Sequence, residues 1–201
     1  MRKIDPDLHH RRRLQILEAA AICFIRRGFH QSSMQEICSQ AKMSPGALYR
    51  YFESKSQIIE AIAEEDRSET KHFLDEIQQH DSFIEGFMQA VKSRITQSLK
   101  EDYARLAVEV LAEVTRNPKI AKRFIANDKQ MKTSLVQMLK TAIKNGTVNP
   151  TIKPDAVAEL LIATIEGIEG RAILNPNFKF RSVAPALEEM ISQFLRPDRP
   201  A

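Results

Sequence analysis

Cysteine is nearly missing from this 201-residue chain: Cys23 and Cys38 are the only two. Two thiols cannot staple a fold of this length, and unaided they cannot complete a structural zinc site. Both lie in apolar helical patterns and read as small core residues. Long apolar runs are missing too. The most apolar stretch, Ala156 to Ile165, is interrupted by Glu159 and is too short to span a bilayer. Arg11-Arg12-Arg13 is not followed by the charge-free stretch of a signal peptide. The expectation is a cytoplasmic protein with no membrane partner. Alternating strand patterns, internal repeats and low-complexity tracts are absent. So are a phosphate-binding glycine loop, a nucleophile elbow and a metalloprotease pattern. His72 and His80 stand about 12 Å apart along a helix, too far to share a metal, and the adjacent His9 and His10 diverge. Neither an enzyme, a metal site nor a bound cofactor is expected.

Hydrophobic residues make up 43% of the chain, enough to exclude disorder and to fill one or two cores. The net charge of +4 is unevenly spread. Residues 1–55 carry ten Lys and Arg against five Asp and Glu, so the whole excess sits in the first quarter. That asymmetry fits a polyanion-binding head on a neutral body, or a solvated basic face.

Period-3.6 patterning runs through nearly the whole chain and predicts an all-α fold of about nine helices. The first is expected from Asp7 or His10 to Arg27, with Leu14, Leu17, Ala21, Phe24 and Ile25 inward and Gly28 as its left-handed cap. The second opens at Ser33, where Ser33-Met34-Gln35-Glu36 reads as a capping box, and ends near Ala41. The third opens at Ser44 with Pro45 at the first helical position and closes near Phe52. A second capping box, Ser54 to Gln57, opens a long fourth helix reaching about Gln79. The later ones are expected from Ser82 to about Leu99, about Asp102 to Arg116, Pro118 to Asn145, Pro154 to just before Asn175 and Ser182 to just before Pro197. Asn145-Gly146 could turn a hairpin, but Pro150 and Pro154 leave no room for a paired strand, so Gly146 is assigned as a helix cap.

Only Lys42-Met43-Ser44 separates the second and third helices. Short helices joined so tightly cross at a large angle, the geometry of a helix-turn-helix. On the third helix Leu48 and Phe52 face Ile37 and Ala41. Gly46, Ala47, Arg50 and Tyr51 then face outward, with Tyr49 at the edge. Arginine can fork onto guanine or pair with phosphate, tyrosine hydroxyls suit either, and Gly46 permits close backbone approach. Lys55 is placed to hold flanking backbone, and the Ser33 and Ser44 hydroxyls, caps first, can also meet phosphate.

These residues resemble the N-terminal signature of the TetR family: Phe24-x-x-x-Gly28-Phe29, Ser33-x-x-x-Ile37, then Ala41-x-x-Ser44-x-Gly46-x-Leu48-Tyr49-x-Tyr51-Phe52-x-x-Lys55. The match spans about a quarter of the chain. It implies a repressor that releases DNA when a small molecule enters its C-terminal part. It also implies DNA contacts at Ser33, Ser44, Pro45, Gly46, Tyr49, Arg50, Tyr51 and Lys55. Two positions depart from the family's habit. Lys42 stands where glycine is frequent, and Tyr51 where histidine is, so base preference does not carry over. The division expected is a DNA-binding head over residues 1–55 and an effector-binding, dimerising body over 56–201.

The eighth and ninth predicted helices carry wide apolar faces, Val157, Leu160, Leu161, Thr164, Ile165 and Ile168, then Leu187, Ile191, Phe194 and Leu195. Either they are core, or, as the resemblance implies, they pair with their copies in a homodimer. A dimer also has its own motive, since one short recognition helix reads few base pairs and two on a twofold axis read a palindromic operator. Phe73, Phe83, Phe87, Met88, Tyr103, Met131 and Met138 suit either a core or the lining for an unidentified small-molecule effector. Glu109, Glu113, Glu166 and Glu169 are assigned to the surface, or to facing a cationic ligand. An activator with the same contacts, and a non-specific nucleic-acid-binding or scaffold protein, are the alternative functions.

Overall fold

The structure, a computed structural model, describes residues 6–100, 103–175 and 177–197. Within them the chain is all helical, with no strand. In order come α1 (Pro6–Arg27), α2 (Met34–Gln40), α3 (Pro45–Leu48), α4 (Lys55–Gln78), α5 (Phe83–Lys100), α6 (Tyr103–Val114), α7 (Pro118–Lys144), α8 (Pro154–Leu174) and α9 (Phe180–Leu195). No described helix is long and apolar enough to cross a membrane.

The ends follow the expected local chemistry. Ser33 caps α2 with a complete capping box, its side chain accepting from the Glu36 amide while the Glu36 carboxylate accepts from the Ser33 amide at 2.8 Å. Gly28 and Gly146 are left-handed, at φ +81° and +72°. The hydrogen bonds from Gly146 to the Ile143 carbonyl and from Thr147 to the Ala142 carbonyl close α7 as a helix rather than opening a hairpin.

Two ends differ from expectation. α3 stops at Leu48, with Tyr49 as its C-cap. The coil continues as hydrogen-bonded turns, Tyr51 and Phe52 both donating to the Leu48 carbonyl, so Phe52 still swings into the core. α9 opens at Phe180, two residues before Ser182, because Phe180 itself is buried. Asp102, the expected start of the sixth helix, lies outside the described residues.

The compact units do not follow a boundary at residue 55. The first contains the chain up to Asp66 together with Arg105–Phe124. Its core gathers Ile16, Ala20 and Phe24 of α1, Ile37 and Cys38 of α2, Leu48, Phe52, and Ile58 and Ile59 of α4. Leu106, Val110 and Ile120 are buried as well. Polar contacts tie α6 in as well. Glu109 accepts from the Phe29 amide at 2.8 Å, and Glu113, only 6% exposed, lies 2.9 Å from the His30 ring. Two glutamates assigned to the surface, Glu113 here and Glu169 on α8, are buried.

The second unit, Arg67–Ala104 and Ile125–Ala201, is built on α5, which packs against α8 and α9. Phe73, Phe83, Phe87, Met88 and Met131 join Leu135, Leu139, Leu161, Ile165, Leu187 and Ile191 in one cluster, with Met138 packed against it. The Tyr103 side chain lies outside what the structure describes. Arg94 on α5 and Glu169 on α8 stand 3.4 Å apart, and Lys132 meets Glu159 at 2.6 Å.

Candidate nucleic-acid interface

α2 ends through a double hydrogen bond that turns the chain sharply: Met43 donates to the Cys38 carbonyl and Lys42 to the Ser39 carbonyl. This closure requires a left-handed residue, and Lys42 supplies it at φ +53°. The left-handed conformation costs a side-chain-bearing residue about 1–2 kcal/mol, of which glycine's greater unfolded-state freedom would recover about 0.5–1 kcal/mol. Lys42→Gly is therefore expected to stabilise the head by about 0.5–1 kcal/mol, read as a higher thermal midpoint; an unchanged or lower midpoint would show that the lysine makes good its own strain.

Past the turn, the Ser44 hydroxyl accepts from the Ala47 amide, and Pro45 takes the first helical position. Leu48 is wholly buried and anchors the helix. The opposite side is open. Ser44, Pro45, Gly46 and Arg50 are exposed, Ala47 and Tyr51 are half-buried, and Tyr49 is 50% exposed. A side chain at Gly46 would meet nothing within 4 Å. The guanidinium of Arg50 takes part in no hydrogen bond or ion pair among the described residues, which leaves all its donors available.

Two expected contact residues are already engaged. Ser33 is exposed, yet its hydroxyl is occupied with Glu36 as the cap of α2. Its backbone N–H first, then its hydroxyl, with Arg27 also contributing, hold the Glu36 carboxyl below the usual range. Lys55 points back into the protein. Its Nζ donates to the Phe29 carbonyl at 2.7 Å and the His30 carbonyl at 3.1 Å, and lies 4.8 Å from the centre of the Phe29 ring. Burial pulls its pKa down against the opposing pull of Glu113 and Glu36. In this arrangement Lys55 fastens the α1–α2 loop.

Sequence reasoning missed what lies beside α3. The His9 ring packs on Tyr51, centroids 4.7 Å apart. Gln15 donates to the Ala41 carbonyl at 2.8 Å, and the Arg13 guanidinium sits 5.5 Å from the Phe52 ring centre. These partners are 26 to 42 residues apart, and no local pattern announces them. Among the described residues no group of three His, Cys, Asp or Glu could hold a metal ion.

Known proteins share this arrangement. The family model for bacterial regulatory proteins of the tetR family matches residues 16–62, and that for the C-terminal part of BetI-type transcriptional repressors matches residues 85–196. The HTH-type transcriptional regulator UidR of Escherichia coli is 28% identical over 183 residues, covering 91% of this chain and 92% of its own. The structure of Salmonella enterica GusR superposes with a TM-score of 0.76 at 30% identity, covering 92% of this chain and 95% of that one. Bacillus subtilis FadR, solved with stearoyl-CoA, has the same fold, with a TM-score of 0.76 at 18% identity over 89% and 96%. A tight helix-turn-helix with an open outer face, joined to a helical body that the repressor model matches over more than half the chain, leaves one assignment: the chain belongs to the TetR family of DNA-binding transcriptional regulators.

Proposed function

We propose that the protein is a homodimeric repressor that reads a palindromic operator through the outer face of α3 and leaves it when a small molecule binds the helical body. The observation that carries the DNA half is the division of α3 and its following turn: Leu48 and Phe52 buried, Arg50 and Tyr49 open. Ser44, Pro45, Gly46, Ala47 and Tyr51 complete the proposed contact surface. Ser33 serves it by capping α2, and Lys55 by holding the loop before it. The match to the repressor model supports repression over activation, and a protein of this fold solved with stearoyl-CoA supports an effector in the body. The switch needs no cofactor: a ligand that prefers one spacing of the two heads draws the dimer from the DNA-fitting state. A role on chromosomal DNA places the protein in the cytoplasm.

For dimerisation the support is an uncovered stripe. On α8, Ala156, Leu160, Ala163, Gly167 and Leu174 are exposed at helical spacing, Leu160 by 61%. On α9, Ala186, Met190 and Phe194 are exposed along one flank of the face buried at Leu187 and Ile191, Phe194 by 53%. Large side chains uncovered along two helices mark a surface meant for burial, and the small residues between them let another helix come close. Leu160→Glu with Phe194→Glu is expected to give a monomer in sedimentation and to weaken operator binding at least tenfold. A double variant that stays dimeric would move the interface elsewhere.

The decisive experiment is selection of binding sites from random duplex DNA at near-physiological salt. A palindromic consensus is the expected result. Retention without enrichment of any sequence would leave a non-specific nucleic-acid binder and end the operator reading.

A further inference from the structure

The open face of α3 continues onto α1. His9 is exposed, and its ring lies against that of Tyr51 at 4.7 Å with the planes 35° apart. Tyr51 stands just past the C-cap of α3. Any surface that reaches Tyr51 is therefore within a ring's width of His9. Arg12 is three residues further along α1, on the same helical face, and exposed.

Arg12 is also held in place. Its Nη1 donates to Gln15 Oε1 at 2.8 Å, and Gln15 Nε2 donates in turn to the carbonyl of Ala41, the C-cap of α2, at 2.8 Å. Two hydrogen bonds in series thus tie a long cationic side chain to the turn that aims α3. Arg13 is used differently, lying over Phe52 and 3.6 Å from Glu64. The exposed charged residues on the first two turns of α1 are Asp7, Arg11 and Arg12, beside the imidazoles of His9 and His10.

We propose that the first two turns of α1 are part of the DNA interface, with His9 and Arg12 contacting the phosphates that border the groove entered by α3. The proposal rests on the recognition-helix reading above. Phosphates are the partner because α1 flanks α3 rather than entering the groove with it, and protein groups beside the element in the groove meet the DNA backbone. Arg12 would supply charge already ordered, and His9 an N–H donor braced on Tyr51.

The test is the affinity for a selected operator duplex and for a scrambled duplex, by fluorescence anisotropy, between roughly 50 and 200 mM salt. Wild type is compared with Arg12→Gln, Arg12→Lys, His9→Ala and Arg50→Ala, each confirmed folded by circular dichroism. Arg12→Gln is expected to weaken both duplexes by the same factor. It should also lower the slope of log affinity against log salt by about 2, one phosphate contact of about 0.9 in each of two heads. Arg12→Lys should restore that slope, and His9→Ala should weaken both duplexes alike.

An unchanged slope in Arg12→Gln, while Arg50→Ala abolishes operator preference, would overturn the α1 contact and leave the recognition helix standing. Equal losses in the Gln and Lys variants at an unchanged slope would reduce Arg12 to a brace for Gln15, which also overturns it. If Arg50→Ala keeps full operator preference, the recognition-helix reading falls, and this proposal with it.

Discussion

Replacing Arg50 by alanine is expected to erase the protein's preference for its operator while leaving the fold untouched. A bidentate arginine–base pair is worth about 1–3 kcal/mol of discrimination. In the proposed dimer, two heads on one palindrome would double that to about 2–6 kcal/mol, roughly thirtyfold to twenty-thousandfold in affinity. The fold should not notice, because Arg50 is exposed and its guanidinium has no protein partner among the described residues. Surface substitutions of that kind move stability by no more than about 0.5 kcal/mol. The informative companion is Arg50→Lys, which keeps the charge but loses the planar fork. It should retain binding to scrambled duplex and still lose the operator. Equal affinity of Arg50→Ala for operator and wild-type levels of repression in a reporter strain would remove Arg50 from the readout.

The second large effect is predicted for a residue with no role in DNA binding. Gly86 lies in the first turn of α5, where that helix presses on the end of α4. A Cβ there would stand 2.3 Å from the Ile77 carbonyl oxygen and 3.1 Å from its carbonyl carbon and Cα. These are backbone atoms and cannot swing aside as a side chain would. Alanine gains about 1 kcal/mol over glycine in helix propensity. Against this, forcing α5 away from α4 disturbs the aromatic cluster in which Phe87 meets Phe73 edge-on at 6.1 Å and stacks on Phe83 at 5.9 Å. Overpacking costs about 1–3 kcal/mol, more where backbone must move. The clash wins, and Gly86→Ala is expected to lower stability by about 3 kcal/mol and the thermal midpoint by roughly 10 °C. A midpoint at or above wild type would mean that the α4–α5 corner yields at little cost.

What could be read from the sequence was whatever is written within a few residues. The Ser33–Glu36 box, the glycine caps at 28 and 146 and the burial of both cysteines all depend on neighbours in the chain, and all are there in the structure. The split of α3 into a buried side at Leu48 and Phe52 and an open side at Arg50 was likewise available from helical period alone. What stayed out of sight shares one cause, a partner far along the chain. The bonds of Lys55 could not be read because the carbonyls it holds are 25 and 26 residues back. Glu113 and Glu169 looked like surface residues because His30 and Arg94 are 83 and 75 residues away. Gly86 left no trace, since a glycine inside an apolar helical pattern does not say what crosses it.

The grip of α6 on the loop before α2 bears on how such a regulator can be recombined. Glu109 accepts the amide of Phe29, and Glu113 approaches His30, so two links in the head come from residues eighty or more positions downstream. A chimera spliced once, inside α4, would graft a head onto a stranger's α6 and orphan the Phe29 amide. The transferable cassette is two pieces of chain, not one: a change of operator carried by the first sixty-six residues travels intact only if residues 105–124 travel with it.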